Sequence, residues 1–337
     1  MFLPQFTINN KIIGPNQKPF FIAEAGLNHN GDIEIAKKMI DEAIASGADA
    51  IKFQTYKSEE FLTESSEYFD FFKNVELSFE EFKELNNYAK NKNFTFFSAP
   101  FDISSANFLH EIDVPCFKIA SSDLTNMPLI KHIASMKKPM IISTGIGTME
   151  EIEDAVNWCT TEGNNEIALL HCVANYPAQP HEVNMNAMLD MQKKFDFPIG
   201  YSDNGESLLV DLVAAALGAQ IIEKHFTLSK EMPGPDHAFS IEPNELKSLI
   251  SQIEEIFIIK GSEIKAPQPS EIKNRDLIRK SITAKHDLNQ GDIITQNDIL
   301  FKRPAGGIEP KSISLVLNKK LKTNIKKNSQ IMWSDLE

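Results

Sequence analysis

Two short stretches frame the chain: Phe20-Phe-Ile-Ala-Glu-Ala-Gly26 and, two hundred residues later, Gln220-Ile-Ile-Glu-Lys-His-Phe226. Both are apolar runs of strand length, bounded by turn residues, and both carry charge where a buried strand should be dry. Six further runs lie between them: Ala50–Gln54, Phe94–Phe101, Cys116–Ser121, Pro139–Gly145, Glu166–Cys172 and Pro198–Asp203. Segments with helical spacing separate most of the runs, among them Ile33 to Ala45, Met149 to Cys159 and Leu208 to Leu217. Strand followed by helix, eight times over, predicts a closed parallel (β/α)8 TIM barrel over residues 1–260, an α/β fold.

Working outward, a last barrel helix is expected from Pro243 to Lys260, with the proline in its first turn. Residues 261–279 are polar, carry Pro267 and Pro269, and read as a linker. Residues 280–337 hold short β-like runs, Ser281–Ala284 and Asp292–Thr295, with Gly291 and Gly306-Gly307 as turn signals. They predict a small β-rich domain close to the lower size limit for independent burial.

Composition narrows the function. The 337 residues are 42% hydrophobic and 24% charged, ordinary values for a globular protein, and the net charge of −13 sets the long-range field against nucleic acid and anionic membranes. An anionic substrate would need local cations. Cys116, Cys159 and Cys172 are an odd number without metal-like spacing and point to a reducing cytoplasm, with Cys116 and Cys172 read as inert core thiols. No leader pattern and no apolar run of membrane-spanning length is found, so a cytoplasmic location is expected.

In such a barrel the carboxyl ends of the strands converge on one face, where catalytic groups gather. The runs end in Glu24, Lys52 and Gln54, Lys118 and Ser121, Ser143 and Thr144, His171, Ser202 and Asp203, and Glu223-Lys-His225. One strand-end lysine is commonly solvated or paired, but Lys52 together with Lys118 calls for an anion, because unpaired buried charges cost several kcal/mol. His171 can equally be a satisfied core histidine, and Phe69 to Phe72 read as core. Met232-Pro-Gly-Pro-Asp-His237 reads as a stiff loop projecting Asp236 and His237 beside the last strand.

These residues resemble the sialic acid synthase family, which includes the N-acetylneuraminate, legionaminate and pseudaminate synthases and a spore-coat polysaccharide relative. The matching strings are Phe21-Ile-Ala-Glu-Ala-Gly-Leu-Asn-His-Asn-Gly31, Lys52-Phe-Gln-Thr55, Phe117-Lys-Ile-Ala-Ser121, Ser143-Thr-Gly145 and Tyr176-Pro177. They continue in order with Gly200-Tyr-Ser-Asp203, Glu223-Lys-His-Phe226, Gly234-Pro-Asp236 and Lys302-Arg-Pro304. The resemblance implies a barrel joined to an antifreeze-like (SAF) domain in a domain-swapped homodimer, condensing phosphoenolpyruvate with an amino-sugar aldehyde. It implies that Lys52, Lys118, Ser121, Ser143 and Ser202 hold phosphoenolpyruvate. It also implies that a divalent metal, Mn2+ or Mg2+, on His225 polarises the aldehyde. Glu24 would manage protons, Gln54, Phe101, Tyr176 and Asp236 would meet the substrates, and Arg303 of the partner subunit would orient the acceptor.

Departures from the family pattern shape the expected specificity. Ser202-Asp203-Asn204 stands where many members have Ser-Asp-His, so Asn204 replaces an imidazole metal ligand with an amide. Asp123 stands where a Glu is common, one methylene shorter at the sugar wall, and Ala99 and Ala174 replace common polar residues. Two other readings compete: a Schiff-base pyruvate aldolase using Lys52, Lys118 or Lys224, and a weakened member that only binds sugar. Ice binding by the last domain fits poorly with its charged stretches Lys285–Asp292 and Lys319–Lys327.

Overall fold

A computed structural model describes residues 5–337. Contacts divide the chain into two compact units, one reaching to Gly261 and one spanning Ser262–Glu337. The first opens with a hairpin of β1 (Phe6–Ile8) and β2 (Lys11–Ile13). Strands β3 (Phe20–Gly26), β4 (Ala50–Thr55), β5 (Thr95–Pro100), β6 (Phe117–Ile119), β7 (Met140–Ser143), β8 (Ile167–Cys172), β9 (Ile199–Asp203) and β10 (Ile221–His225) follow. All eight pair in parallel, and β10 pairs with β3, closing the barrel. Each of the eight apolar runs coincides with one of these strands, β4 extending one residue past its run to Thr55.

The strands form where they do because they are buried on both faces, as parallel strands covered by helices must be; Met140, Ile141 and Ile142 of β7 are wholly inaccessible. The helices are α1 (Ile33–Ser46), α2 (Ser58–Phe61), α3 (Phe69–Val75), α4 (Phe79–Asn91), α5 (Ile103–Glu111), α6 (Met127–Ser135), α7 (Met149–Thr161), α8 (Asn186–Lys194), α9 (Leu208–Ala216) and α10 (Pro243–Lys260). Their ends are coded locally. The Asp32 side chain accepts from the Glu34 and Ile35 amides to start α1, and Gly47, at φ 88°, ends it in a left-handed turn. Ser78 with Glu81, and Thr148 with Glu151, form reciprocal capping boxes on α4 and α7. The β1–β2 hairpin packs Ile8 and Ile13 into the barrel core, and the Asn9 amide donates to Thr95 Oγ1 at 3.0 Å where β5 begins.

The second unit has its own small core of Ile282, Ile294, Ile299, Val316, Leu321 and Ile331 with their neighbours. Strand β11 (Ser281–Ala284) pairs antiparallel with β12 (Ile299–Lys302). Residues 261–279, read as a linker, contain the helix α11 (Pro269–Ile278), capped by Gln268 and Glu271. The stretch 292–295, read as β-like, forms no ladder and contributes only an isolated bridge from Ile293 to Lys320. Among the described residues no helix is long and apolar enough to cross a membrane.

Candidate active site

Register assembles the polar cluster. Parallel pairing sets Glu24 beside Lys52 on one flank and beside His225 on the other, and sets Glu223 beside Ser202. Residues whose positions in the chain differ by up to two hundred thus become neighbours at the carboxyl ends of β3, β4, β9 and β10. Lys52 Nζ lies 2.6 Å from Glu24 Oε2 and 3.7 Å from Glu223 Oε1, and Lys118 Nζ lies 3.5 Å from the same Glu223 oxygen. Ser202 Oγ donates to Glu223 Oε1 at 2.9 Å, and Gln54 Nε2 donates to Glu24 Oε1 at 3.2 Å. Two cations and two carboxylates, each less than 5% exposed, therefore balance one another.

The balance is incomplete. Glu223 Oε2, Ser143 Oγ and His225 Nδ1 are buried without a hydrogen-bond partner, a costly condition unless something else meets them. Burial pushes the Glu24 carboxyl up to about 7, against the pull of Lys52. Burial, reinforced by Lys52, pushes His225 down to about 3, so its imidazole is neutral with a lone pair to offer. Desolvation also lowers Lys118, while Glu223 stays below the usual carboxylate range because Lys118 and Lys52 outweigh its burial.

A cavity of about 740 Å³ adjoins this cluster, a size suited to a small metabolite. Gln54, Phe101, Ser121, Tyr176, His225 and Asp236 all line it. The Tyr176 ring stands edge-on to His225 at 5.8 Å. Asp236 Oδ2 lies 3.9 Å from His225 Nδ1, and burial lifts its carboxyl to about 6. Gly26, at φ +51°, keeps the space between these groups open: a Cβ there would sit 3.4 Å from Glu24 Oε1 and 3.6 Å from both Asp236 Oδ2 and Gln54 Nε2. Ser121 Oγ is held by the Gly145 amide at 3.0 Å.

The other candidates are not among the residues lining this cavity. The Asn204 amide nitrogen donates to the Val173 carbonyl at 2.8 Å and to Cys172 Sγ at 3.4 Å, leaving its carbonyl oxygen as the atom able to serve as a ligand. Asp123 is buried and accepts from Asn126 Nδ2 at 2.8 Å. Arg303 is exposed just after β12 in the second unit. His237 does not project from its loop. It is wholly buried, sharing a 2.7 Å hydrogen bond with Thr227 Oγ1 and one of 3.2 Å with Asn30, which fastens the loop that presents Asp236. His171 bonds to the Val183 carbonyl at 2.7 Å, the satisfied core role.

Lys224 points away from the cluster, buried in an ion pair with Asp203 and 3.5 Å from Asp211. Its pKa is raised, because those two carboxylates overcome its desolvation, the reverse of an activated amine. Among the described residues no group of three or more His, Cys, Asp or Glu is placed to hold a metal. Sequence reading also placed Phe71 and Phe72 in the core; they belong instead to a separate aromatic cluster that lines the cavity. Their helix, α3, falls outside the regular strand–helix alternation, and that irregularity was the available signal.

A (β/α)8 barrel with a charged cluster at the carboxyl ends of its strands is an enzyme's architecture, and the comparisons with known proteins agree in detail. The sequence matches the NeuB family over residues 39–265 and the SAF domain over residues 279–337. The chain belongs to the NeuB family. It is 44% identical to an uncharacterized protein of Methanocaldococcus jannaschii, covering 99% of each. It is 40% identical to the N,N'-diacetyllegionaminic acid synthase of Campylobacter jejuni, over 94% of this chain and 99% of that one. The crystal structure of N-acetylneuraminic acid (sialic acid) synthetase from Leptospira borgpetersenii, in complex with citrate, superposes with a TM-score of 0.77 at 41% identity, covering 80% of this chain and 94% of that one. The family resemblance and the barrel with its SAF domain, both expected from sequence, are thereby established.

Proposed function

We propose that the chain is a nonulosonate synthase. In this reading it condenses phosphoenolpyruvate with the aldehyde of an N-acetylmannosamine-type or 6-deoxy diacetamido sugar, a transferase reaction releasing phosphate by C–O cleavage. The observation that carries the reading is the pair Lys52 and Lys118, buried at the strand ends beside a cavity lined by Gln54, His225 and Asp236. Membership of a family with named acid synthases supports it.

In this mechanism Lys52 and Lys118, with Ser121, Ser143 and Ser202, take the phosphate and carboxylate of phosphoenolpyruvate by charge-assisted hydrogen bonds. The unsatisfied Ser143 hydroxyl suits such a ligand. Glu24 and Glu223 must yield their lysines to the incoming anion, and Glu24, pushed to about 7, can accept a proton as it does so. Carbon three of the enol attacks the aldehyde carbon. Water adds to carbon two, and phosphate departs with the C–O bond electrons. Glu24 relays protons, and Gln54, Asp123, Tyr176 and Asp236 orient the sugar. Arg303 of the partner subunit would hold its N-acyl group, in a domain-swapped homodimer working in the cytoplasm.

Two adjacent donors suit a weakly held divalent ion, Mn2+ or Mg2+: a neutral imidazole with an unpartnered nitrogen at His225 and the Asp236 carboxylate beside it; the Asn204 amide oxygen, whose nitrogen is committed to the Val173 carbonyl, is the proposed further ligand. Bound there, it would supply Lewis-acid polarisation of the aldehyde oxygen. The test is phosphate release from phosphoenolpyruvate across a panel of N-acetylmannosamine and 6-deoxy diacetamido sugars, with Mn2+ or Mg2+ and with chelator. Metal-dependent release with one sugar is expected. No release with any sugar, combined with borohydride trapping of pyruvate on Lys118, would replace the reading by the aldolase.

A further inference from the structure

The turn that follows β7 is strained where it meets the cavity. Ile146 lies at φ 55°, in the left-handed region, and its side chain lines the cavity while 79% exposed. The other non-glycine residues with positive φ among those described are asparagines, Asp113 and Lys137. A β-branched residue is crowded in this conformation, and here little burial compensates it.

Thr144 to Gly147 form a tight turn, the Gly147 amide donating to the Thr144 carbonyl at 3.2 Å. Its third residue, Ile146, has positive φ and its second, Gly145, does not. That is a type II turn, whose middle peptide faces the opposite way from that of the commoner type I, and glycine or asparagine ordinarily takes the third position. Close packing fixes the flanking glycines: a Cβ on Gly145 would sit 2.7 Å from Ser121 Oγ, and one on Gly147 would strike Leu124. The turn thus lies against the part of the cavity wall that carries Ser121. Gly145 donates its amide to Ser121 Oγ at 3.0 Å, whereas the Ile146 amide donates to no group among the described residues. Ser143, which leads into the turn, has the orphaned hydroxyl already noted.

We propose that the Ile146 backbone amide is a further anion donor of the site, directed by the left-handed turn at the phosphoenolpyruvate that Ser121 and Ser143 hold. Backbone amides in such turns make anion-binding concavities. Glycine would take this φ without strain but would leave the middle peptide free to turn over, so the strain sits where it keeps a binding group in place. This inference rests on the synthase reading above and concerns its anion.

The test titrates the full chain, labelled with 15N-isoleucine, with phosphoenolpyruvate alone. The signal missing from Ile146→Val identifies residue 146. Its amide proton should move downfield, as an amide gaining a charge-assisted hydrogen bond does; a signal that stays in place at saturation would overturn the proposal. In turnover, Ile146→Gly should raise KM for phosphoenolpyruvate roughly fivefold, the cost of fixing one freed residue, and should change kcat less. Its thermal midpoint should not fall, because the strain leaves with the side chain. Ile146→Ala keeps the restricted backbone and should raise KM less than Ile146→Gly; an equal rise would assign the effect to side-chain contact and count against the proposal. Phosphate release with a still Ile146 signal would sink this inference alone, whereas a moving signal without release from any sugar would support it and sink the synthase reading.

Discussion

Two buried lysines lie on the strands that flank β3, with carboxylates at hand, and they do opposite things. Lys224, on β10, is wholly inaccessible, paired with Asp203, close to Asp211 on α9, and donates to the Gly205 carbonyl at 2.6 Å. Asp203 in turn accepts from the Tyr201 hydroxyl and the Gly205 amide. This cluster faces α9 and ties the turn after β9 to β10. Lys52, on β4, faces the other way, into a cluster where Glu223 Oε2 and His225 Nδ1 lack partners and a cavity adjoins. Alternation along β10 makes the division: Glu223 and His225 go to one side, Lys224 to the other. The Asp211 oxygens in the Lys224 cluster also lack hydrogen-bond partners, so neither burial, ion pairing nor unfilled hydrogen-bonding capacity marks a site alone; the open cavity beside the Lys52 cluster makes the difference.

Breaking each cluster should separate the two roles. Lys118→Met is expected to lower kcat/KM for phosphate release by about three orders of magnitude, roughly 4 kcal/mol of transition-state stabilisation. Its thermal midpoint should change less than that of the next variant, because Lys52 remains 3.7 Å from Glu223. Lys224→Met leaves Asp203 and Asp211 facing each other without a cation and should cost about 3–5 kcal/mol of stability, read by denaturant melts. A larger stability loss in Lys118→Met than in Lys224→Met would erase the distinction.

The smallest effect is on pH dependence. Glu24, held near 7 in the folded chain against an ordinary 4.5, binds more protons folded than unfolded between those values. It therefore makes stability fall as pH rises through that window. His225, held near 3 against an ordinary 6.5, binds fewer protons folded, and makes stability rise with pH between those values. Glu24→Gln removes the opposing contribution, so thermal midpoints should climb more steeply from pH 5 to 7 than in the native chain. An unchanged slope would mean that Glu24 is an ordinary ionised carboxylate.

The barrel was legible because its signal repeats. Eight runs became its strands, with bounds that shift by up to two residues at an end, as from Pro139–Gly145 to Met140–Ser143. The β1–β2 hairpin and β12 left no comparable trace: the hairpin strands are three residues each with exposed positions, and three of the four residues of β12 are exposed, so neither forms a buried apolar run. Helix α11 was hidden by Pro267 and Pro269, of which Pro269 starts the helix instead of breaking it. At the site, strand-end charge singled out Lys52, Lys118 and His225, but their partners depend on register, which one sequence does not display. The same limit hid the roles of His237 and Lys224: composition shows a polar residue, and only packing shows which way it faces.

The closure of β10 on β3 also has a consequence for how the chain comes to life. Glu24 and His225 sit opposite each other across that seam, so no portion of the barrel emerging from the ribosome carries the complete constellation. Until the eighth strand is made, Glu24 has Lys52 and Gln54 beside it but neither Glu223 nor His225. For the synthase proposed above, catalytic competence would thus be a late event in biogenesis, and its onset during refolding would time the moment the cylinder shuts.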